Sequence, residues 1–244
     1  MKITKSQFLA TLCALALSSG SALSAIVIYS DDFTSGSDGA LNGQALVTPT
    51  TTTWTANAWN KNTTSGIATS GNGSAVVGAP TFSAGDVYTL TARVFNNLAS
   101  SSTSWVAIGY TSGTTATFNG AGVGRYWMVW RGNDEVRAFG SGASALGPSG
   151  VSPAGESNTL DLRMVFDVDA NTMTWLYKNP SATDWNQLHS VAASSSIIDN
   201  IQNVGMSSTT TNVGLISFEL TNIPEPRAAL LGGLGLLALL RRRR

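Results

Sequence analysis

Hydrophobic and polar residues alternate along several stretches of the chain. Tyr88, Leu90, Ala92 and Val94 are separated by Thr89, Thr91 and Arg93. A period of two sends successive side chains to opposite faces, so this stretch is predicted to be a strand with one buried face. The same pattern recurs in Leu160, Leu162, Met164 and Phe166, set between Asp161 and Arg163. It recurs again in Met173, Trp175 and Tyr177 with Thr174 and Lys178, and in Ile216, Phe218 and Leu220 with Ser217 and Glu219. Apolar content predicts further strands over 104–110, 126–131, 135–139, 185–191 and 201–206. Gly132-Asn133-Asp134 and the polar run 167–172 supply hairpin turns, and 36–42, 48–74, 111–124 and 141–157 read as longer loops. About ten short strands and no internal helix predict an all-β, two-sheet antiparallel β-sandwich, most simply a jelly roll.

The two ends break this pattern. Lys2 and Lys5 precede an apolar run over 8–17, and small residues follow up to Ala25. A charged start, a short apolar segment and a small-residue cleavage region predict a signal peptide over 1–25, helical in its apolar part. At the other end Pro224, Glu225 and Pro226 precede residues 228–240, which carry no charge, and Arg241, Arg242, Arg243 and Arg244 close the sequence. Thirteen helical residues span about 20 Å, which makes a short transmembrane helix with its arginines held on the cytoplasmic side. The predicted organisation is a signal peptide over 1–25, a β-sandwich over 26–222 and a sorting tail over 223–244.

That tail resembles the PEP-CTERM sorting signal: the Pro-Glu-Pro motif, a glycine-bearing apolar helix with Gly232, Gly233 and Gly235, and a basic end. The resemblance implies partners in the export machinery and an exosortase of a Gram-negative bacterium. It also implies transient insertion in the inner membrane, then release to the cell surface or an exopolysaccharide matrix. The body resembles bacterial proteins with a concanavalin-like, laminin-G-like sandwich. The matching stretches are Asp31-Asp32-Phe33, Leu41-Asn42-Gly43, Tyr88-Thr89-Leu90, Trp105 to Gly109, Trp127 to Gly132 and the hairpin from Leu160 to Tyr177. This second resemblance implies a fold and no particular chemistry.

Charge narrows the choice of partners. The whole chain is neutral, with 14 basic and 14 acidic residues. Residues 26–222 hold seven basic and thirteen acidic ones, a net charge of −6. Such a body repels phosphate backbones, which argues against nucleic acid. Cys13, in the signal peptide, is the single cysteine, so the body has no disulfide, thiolate metal site or cysteine nucleophile.

Catalytic sets are hard to assemble. His189 is the single histidine and lies in a predicted strand, where a surface or edge position is expected. No Gly-x-Ser-x-Gly turn accompanies it. A glycoside hydrolase needs two carboxyls facing one cleft. Glu135, Glu156 and Glu219 are far apart in sequence, and no Glu-x-Asp-x-x-Glu strand occurs. A non-enzymatic structural or adhesive role is the first expectation, a lectin-like carbohydrate-binding module the alternative, and a hydrolase the remote one. No cofactor is expected beyond a calcium candidate at Asp167, Asp169 and Asn171, whose oxygens alternate as in a calcium loop; turn capping explains the same residues. Asp31 and Asp32 form a second acidic pair. Among the seven tryptophans, Trp54 and Trp59 fall in a Thr/Asn-rich loop and are the candidates for stacking on a sugar, whereas Trp105 and Trp175 are expected in the core.

Overall fold

The computed structural model describes residues 24–97, 102–114, 117–118, 124–141, 144–153, 158–211 and 213–224. Residues 1–23 of the expected signal peptide and residues 225–244 of the expected sorting tail lie outside the described residues. Two antiparallel sheets face each other. The nine-stranded sheet runs β14 (Asn186–Ala192), β13 (Thr172–Lys178), β12 (Thr159–Asp167), β7 (Asp86–Asn96), β16 (Val213–Pro224), β5 (Ile67–Ser70), β4 (Trp59–Asn62) and β2 (Gly39–Ala40). Its ninth strand, β1 (Ile26–Asp31), pairs with the second half of β16. The seven-stranded sheet runs β11 (Ala145–Val151), β10 (Val136–Phe139), β9 (Gly124–Arg131), β8 (Trp105–Thr111), β15 (Asn203–Ser208), β6 (Gly73–Gly78) and β3 (Thr55–Ala56). This is the sandwich that the alternating sequence predicts, and every strand expected from apolar content is present.

Three local differences have physical causes. The stretches 36–42 and 141–157, read as loops, carry β2 and β11, the latter with two glycines and a proline that mask it as a strand. The stretch 48–74 carries β3, β4, β5 and the start of β6, although it too reads as a loop. These strands are two to six residues long and rich in Thr, Asn and Ala, so they show little apolar alternation. A single helical turn, α1 (Ser195–Ile198), follows β14 and is too short for a 3.6-residue pattern to register. In β16 a bulge between Leu215 and Ser217 shifts the pairing with β7. It turns Leu215 into the core and leaves Ile216 half-buried, where simple alternation expects Ile216 inside. The strand itself continues to Pro224, which pairs with Asp86, so the sheet ends two residues beyond the expected boundary.

The core lies between the sheets. Tyr88, Leu90, Ala92 and Val94 of β7 meet Leu160 to Phe166 of β12 and Val106, Ile108 and Tyr110 of β8. Trp175 is fully buried, and its Nε1 donates to the Trp127 carbonyl of the opposite sheet at 3.1 Å. His189 takes the expected place on an edge strand, half-buried with its ring centroid 6.1 Å from that of Trp175.

One buried charge ties the first strand to the rest. Asp31 accepts the Trp54 Nε1–H on Oδ2 at 2.7 Å and the Phe33 N–H on Oδ1 at 2.8 Å. Lys61 Nζ lies 3.8 Å from Oδ1, and both side chains are fully buried. A buried charge is tolerated only when its partners stay in place. Asp31→Ala strands the Lys61 ammonium and the Trp54 indole N–H together, so it is expected to cost about 3–5 kcal/mol. Urea unfolding of the variant beside the parent checks this; a loss below about 1 kcal/mol, within the range of an exposed ion pair, contradicts it.

Candidate functional site

The site is built from the polar halves of the alternating strands. Residues directly opposite in an antiparallel ladder share a face. Arg163 on β12 stands opposite Thr91 on β7, Thr91 opposite Glu219 on β16, and Glu219 opposite Ser30 on β1. A second row, two residues along, runs Lys178, Asp161, Arg93 and Ser217. Both rows lie on the outer face of the nine-stranded sheet. At about 4.8 Å between strands, the first row covers about 14 Å from Arg163 to Ser30.

Hydrogen bonds order this polar strip. Arg93 donates from Nε and Nη2 to the two oxygens of Asp161 at 2.8 and 3.1 Å, and that contact raises the Arg93 pKa above its ordinary value. Arg163 Nε donates to Thr91 Oγ1 at 3.2 Å. Burial lowers the Arg163 pKa, with Asp161 and Glu219 pulling it partly back.

A tryptophan closes one end of the strip and a groove closes the other. Trp185, in the connection between β13 and β14, is half-buried against the sheet. The Arg163 guanidinium lies 3.9 Å from its ring centroid and Lys178 Nζ lies 5.2 Å away. The groove, of about 260 Å³, is lined by Ser30, Asp32, Val47, Thr91, Ser217 and Glu219 over a base of Asp31 and Phe218. The Thr34 N–H and hydroxyl bind Asp32 Oδ1 at 3.0 and 2.8 Å and hold its carboxyl below the usual range. Asp31 turns both oxygens inward, so the groove presents hydroxyls and the carboxylates of Asp32 and Glu219.

The structure moves the aromatic candidates. Trp54 and Trp59 are buried, 1% and 2% exposed, and neither offers a ring face to a sugar. Trp54 leaves its Thr-rich surroundings because its indole caps the Asp31 carboxylate and packs edge-on to Phe218 at 5.1 Å. Trp59 points inward from β4, alternating with exposed Asn60. Trp105, expected in the core, is buried on the outer face of the seven-stranded sheet instead. There it joins Trp127, which stacks on Phe139 at 4.2 Å and 15° and is met edge-on by Phe118 at 6.1 Å. Trp185, absent from the aromatic candidates, alone among the seven tryptophans keeps more than a sliver of surface.

The calcium candidates serve the turn they sit in. Asp167 Oδ1 accepts the Ala170 N–H at 2.7 Å, and Asp169 Oδ1 accepts the Gly85 N–H at 2.8 Å. Asn171, at φ +50°, donates from Nδ2 to the Ala193 carbonyl at 2.8 Å. Among the described residues no three His, Cys, Asp or Glu side chains gather to hold a metal ion. Of the sorting motif, Pro224 ends β16, while Glu225, Pro226 and the four arginines lie outside the described residues. No helix among the described residues is long and apolar enough to cross a membrane.

No protein-family model and no curated sequence matches the chain. Solved structures do match in fold. Lectin II from Ulex europaeus aligns with a TM-score of 0.52 at 8% identity, over 74% of this chain and 96% of that one. The metal-free lectin I-B4 from Griffonia simplicifolia aligns with a TM-score of 0.51 at 11% identity, over 72% and 94%. The VIP36 exoplasmic/lumenal domain, in its Ca2+/Man3GlcNAc-bound form, aligns with a TM-score of 0.50 at 9% identity, over 68% and 84%. At such identities the likeness is one of fold, and the fold is the lectin-like, concanavalin-like sandwich.

The Asp32 carboxylate supplies a pH test of the groove. Its folded pKa is depressed, so its contribution to stability is present above the ordinary carboxylate pKa of about 3.9 and lost as pH falls through the folded value. Thr34→Val removes the hydroxyl donor and should move the Asp32 pKa up toward that ordinary value. Carbon-detected NMR titration of the side chain reads this; an unchanged midpoint contradicts the assignment.

Proposed function

We propose that this protein is an exported, surface-directed carbohydrate-binding protein that holds sugar on the outer face of its nine-stranded sheet. The observation that carries the reading is the strip itself. It pairs one partly exposed indole with sheet-borne hydroxyl, carboxylate and guanidinium groups and ends in a shallow groove of about 260 Å³. Sugars need this combination: an apolar ring face for the C–H side of the pyranose and fixed polar groups for its hydroxyls. The lectin-like sandwich supports the reading at the level of architecture, and the VIP36 domain in the comparison was solved with a mannose-containing glycan bound.

Delivery belongs to the ends of the chain. The signal peptide would export the body. The Pro-Glu-Pro tail, its apolar segment and its arginines would hold it at the inner membrane until an exosortase acts, after which the body joins the cell surface or the exopolysaccharide matrix. Ile26 pairs with Asn222, so β1 enters and β16 leaves at the same end of the sheet. The tail can then tether the body without crossing the proposed binding strip. A structural or adhesive role follows from sugar binding at a surface and needs no catalytic step.

Two measurements test the proposal. Full-length protein titrated against a panel of neutral and acidic polysaccharides should bind at least one saturably, and Trp185→Ala combined with Glu219→Gln should weaken that binding by about tenfold or more, the loss of one to two ordinary hydrogen bonds and a stacking contact. Unchanged binding in the double variant, or no binding across the panel, removes the proposed site. Deleting residues 225–244 should release the protein from the membrane fraction into the periplasm, and an unaltered distribution removes the sorting role.

A further inference from the structure

The basic residues of the body are unevenly used. Of seven between 26 and 222, Lys61 pairs with Asp31, Arg93 with Asp161, and Arg131 and Arg137 both with Glu135. Arg125 donates to the Ser112 hydroxyl at 3.0 Å. Arg163 and Lys178 are the two remaining cations. Among the described residues neither is in an ion pair, and both converge on the Trp185 ring, at 3.9 and 5.2 Å. Two like charges on one ring repel each other, and the indole face offsets only part of that cost. Arg163 is also partly desolvated. Its Nε is used by Thr91, whereas its two terminal nitrogens have no hydrogen-bond partner among the described residues, so their donors remain to be satisfied. Lys178 Nζ donates to the Ala182 carbonyl at 3.0 Å, and the nearby Asp161, opposite Lys178 in the ladder, has both oxygens engaged by Arg93. A body of net charge −6 thus presents two cations side by side, neither in an ion pair among the described residues, at one end of its polar strip.

We infer that the strip takes an acidic polysaccharide, with a uronate carboxylate received between Arg163 and Lys178 and the adjoining sugar laid against Trp185. The inference rests on the carbohydrate-binding reading and adds the ligand class. A carboxylate matches the guanidinium fork in two parallel N–H···O contacts, and Lys178 supplies a second, less directional charge. The carboxylates of Glu219, two strand spacings from Arg163, and of Asp32 beyond it lie toward the far end of the strip, where they would receive hydroxyls and disfavour a second acidic group. The surface therefore distinguishes a chain with spaced acidic residues from a uniformly charged polyanion. Arg163 is held by Trp185 and Thr91, and Lys178 by Trp185 and the Ala182 carbonyl, before any ligand arrives, which limits the ordering cost of binding.

The test compares polygalacturonate, its methyl ester, neutral dextran and single-stranded DNA as ligands for the purified full-length protein in detergent. Polygalacturonate should bind saturably, and methyl esterification should weaken it by about tenfold or more, the loss of a charge-assisted contact. Arg163→Gln should weaken the free acid far more than the ester and so close the gap between them, while Arg163→Lys should fall between, since it keeps the charge and loses the fork. The esterified ligand requires no substitution, so it decides the matter even if a variant folds poorly. Equal binding of acid and ester, both lowered by Trp185→Ala, would overturn the acidic class while the carbohydrate site stands. Binding of none of the three polysaccharides would overturn the underlying site as well. Single-stranded DNA binding as tightly as polygalacturonate, with the same dependence on Arg163, would reduce the effect to charge alone and also overturn the inference.

Discussion

The register of four adjacent strands governs this structure. β12, β7, β16 and β1 come from residues spread between 26 and 224, yet their ladders align one residue against the next across the nine-stranded sheet. A slip of one residue in any ladder would turn its core side chains to water and its polar side chains inward. The β16 bulge at Leu215 and Ser217 and a second shift between Val27 and Tyr29 of β1 absorb the mismatches without moving Phe218 or Leu220 from the core. The same alignment that buries Leu90, Leu162 and Phe218 lines up Arg163, Thr91 and Glu219 outside. Stability and the proposed binding surface are thus two faces of one set of hydrogen bonds.

The outer faces of the two sheets solve different problems. On the seven-stranded sheet Trp105, Trp127, Val129 and Phe139 project away from the central core, and the protein buries them in a second apolar cluster. That cluster adds cohesion but leaves its ring faces inaccessible to solvent. On the nine-stranded sheet the strip itself is charged or hydroxylated, flanked by the half-buried Val165 and Leu176, and Trp185 brings an aromatic surface to it. An open strip with one indole suits a hydrated, polar ligand better than a sealed aromatic layer.

Buried and exposed charge divide the electrostatic work. Asp31 is locked by Phe33, Trp54 and Lys61, so it belongs to the scaffold although it lies under the groove. Asp32, one residue on, points outward and is held ionised by Thr34. The alternation of a strand end therefore separates a structural carboxylate from one available to a ligand. At the opposite end Arg163 and Lys178 meet at the Trp185 ring, while the nearby Asp161 carboxylate is bonded to Arg93. The strip is polarised along its length, and a neutral count of charges over the whole sequence conceals that.

Much of the fold was legible because a period of two needs only local sequence to be seen. The outward residues of the strip, Thr91, Arg93, Asp161, Arg163, Lys178, Ser217 and Glu219, were all visible as the polar halves of their strands. Their assembly into two rows was not, since pairing partners as distant as Ser30 and Glu219, 189 residues apart, are chosen by packing in three dimensions. Trp54 and Trp59 show the reverse case: a Thr/Asn-rich neighbourhood marks a surface loop by composition, but a buried carboxylate and the edge of the core draw both indoles inward. Trp185 carried no local signal at all, because its position depends on a connection folding back over Arg163 and Lys178. By itself the sequence determined the all-β class, the alternating faces and the distinct character of the two ends, all properties of neighbours in the chain. Only the tertiary structure decided which tryptophan meets solvent, which carboxylate is buried and where two cations stand together, because each depends on contacts between residues that the chain keeps far apart.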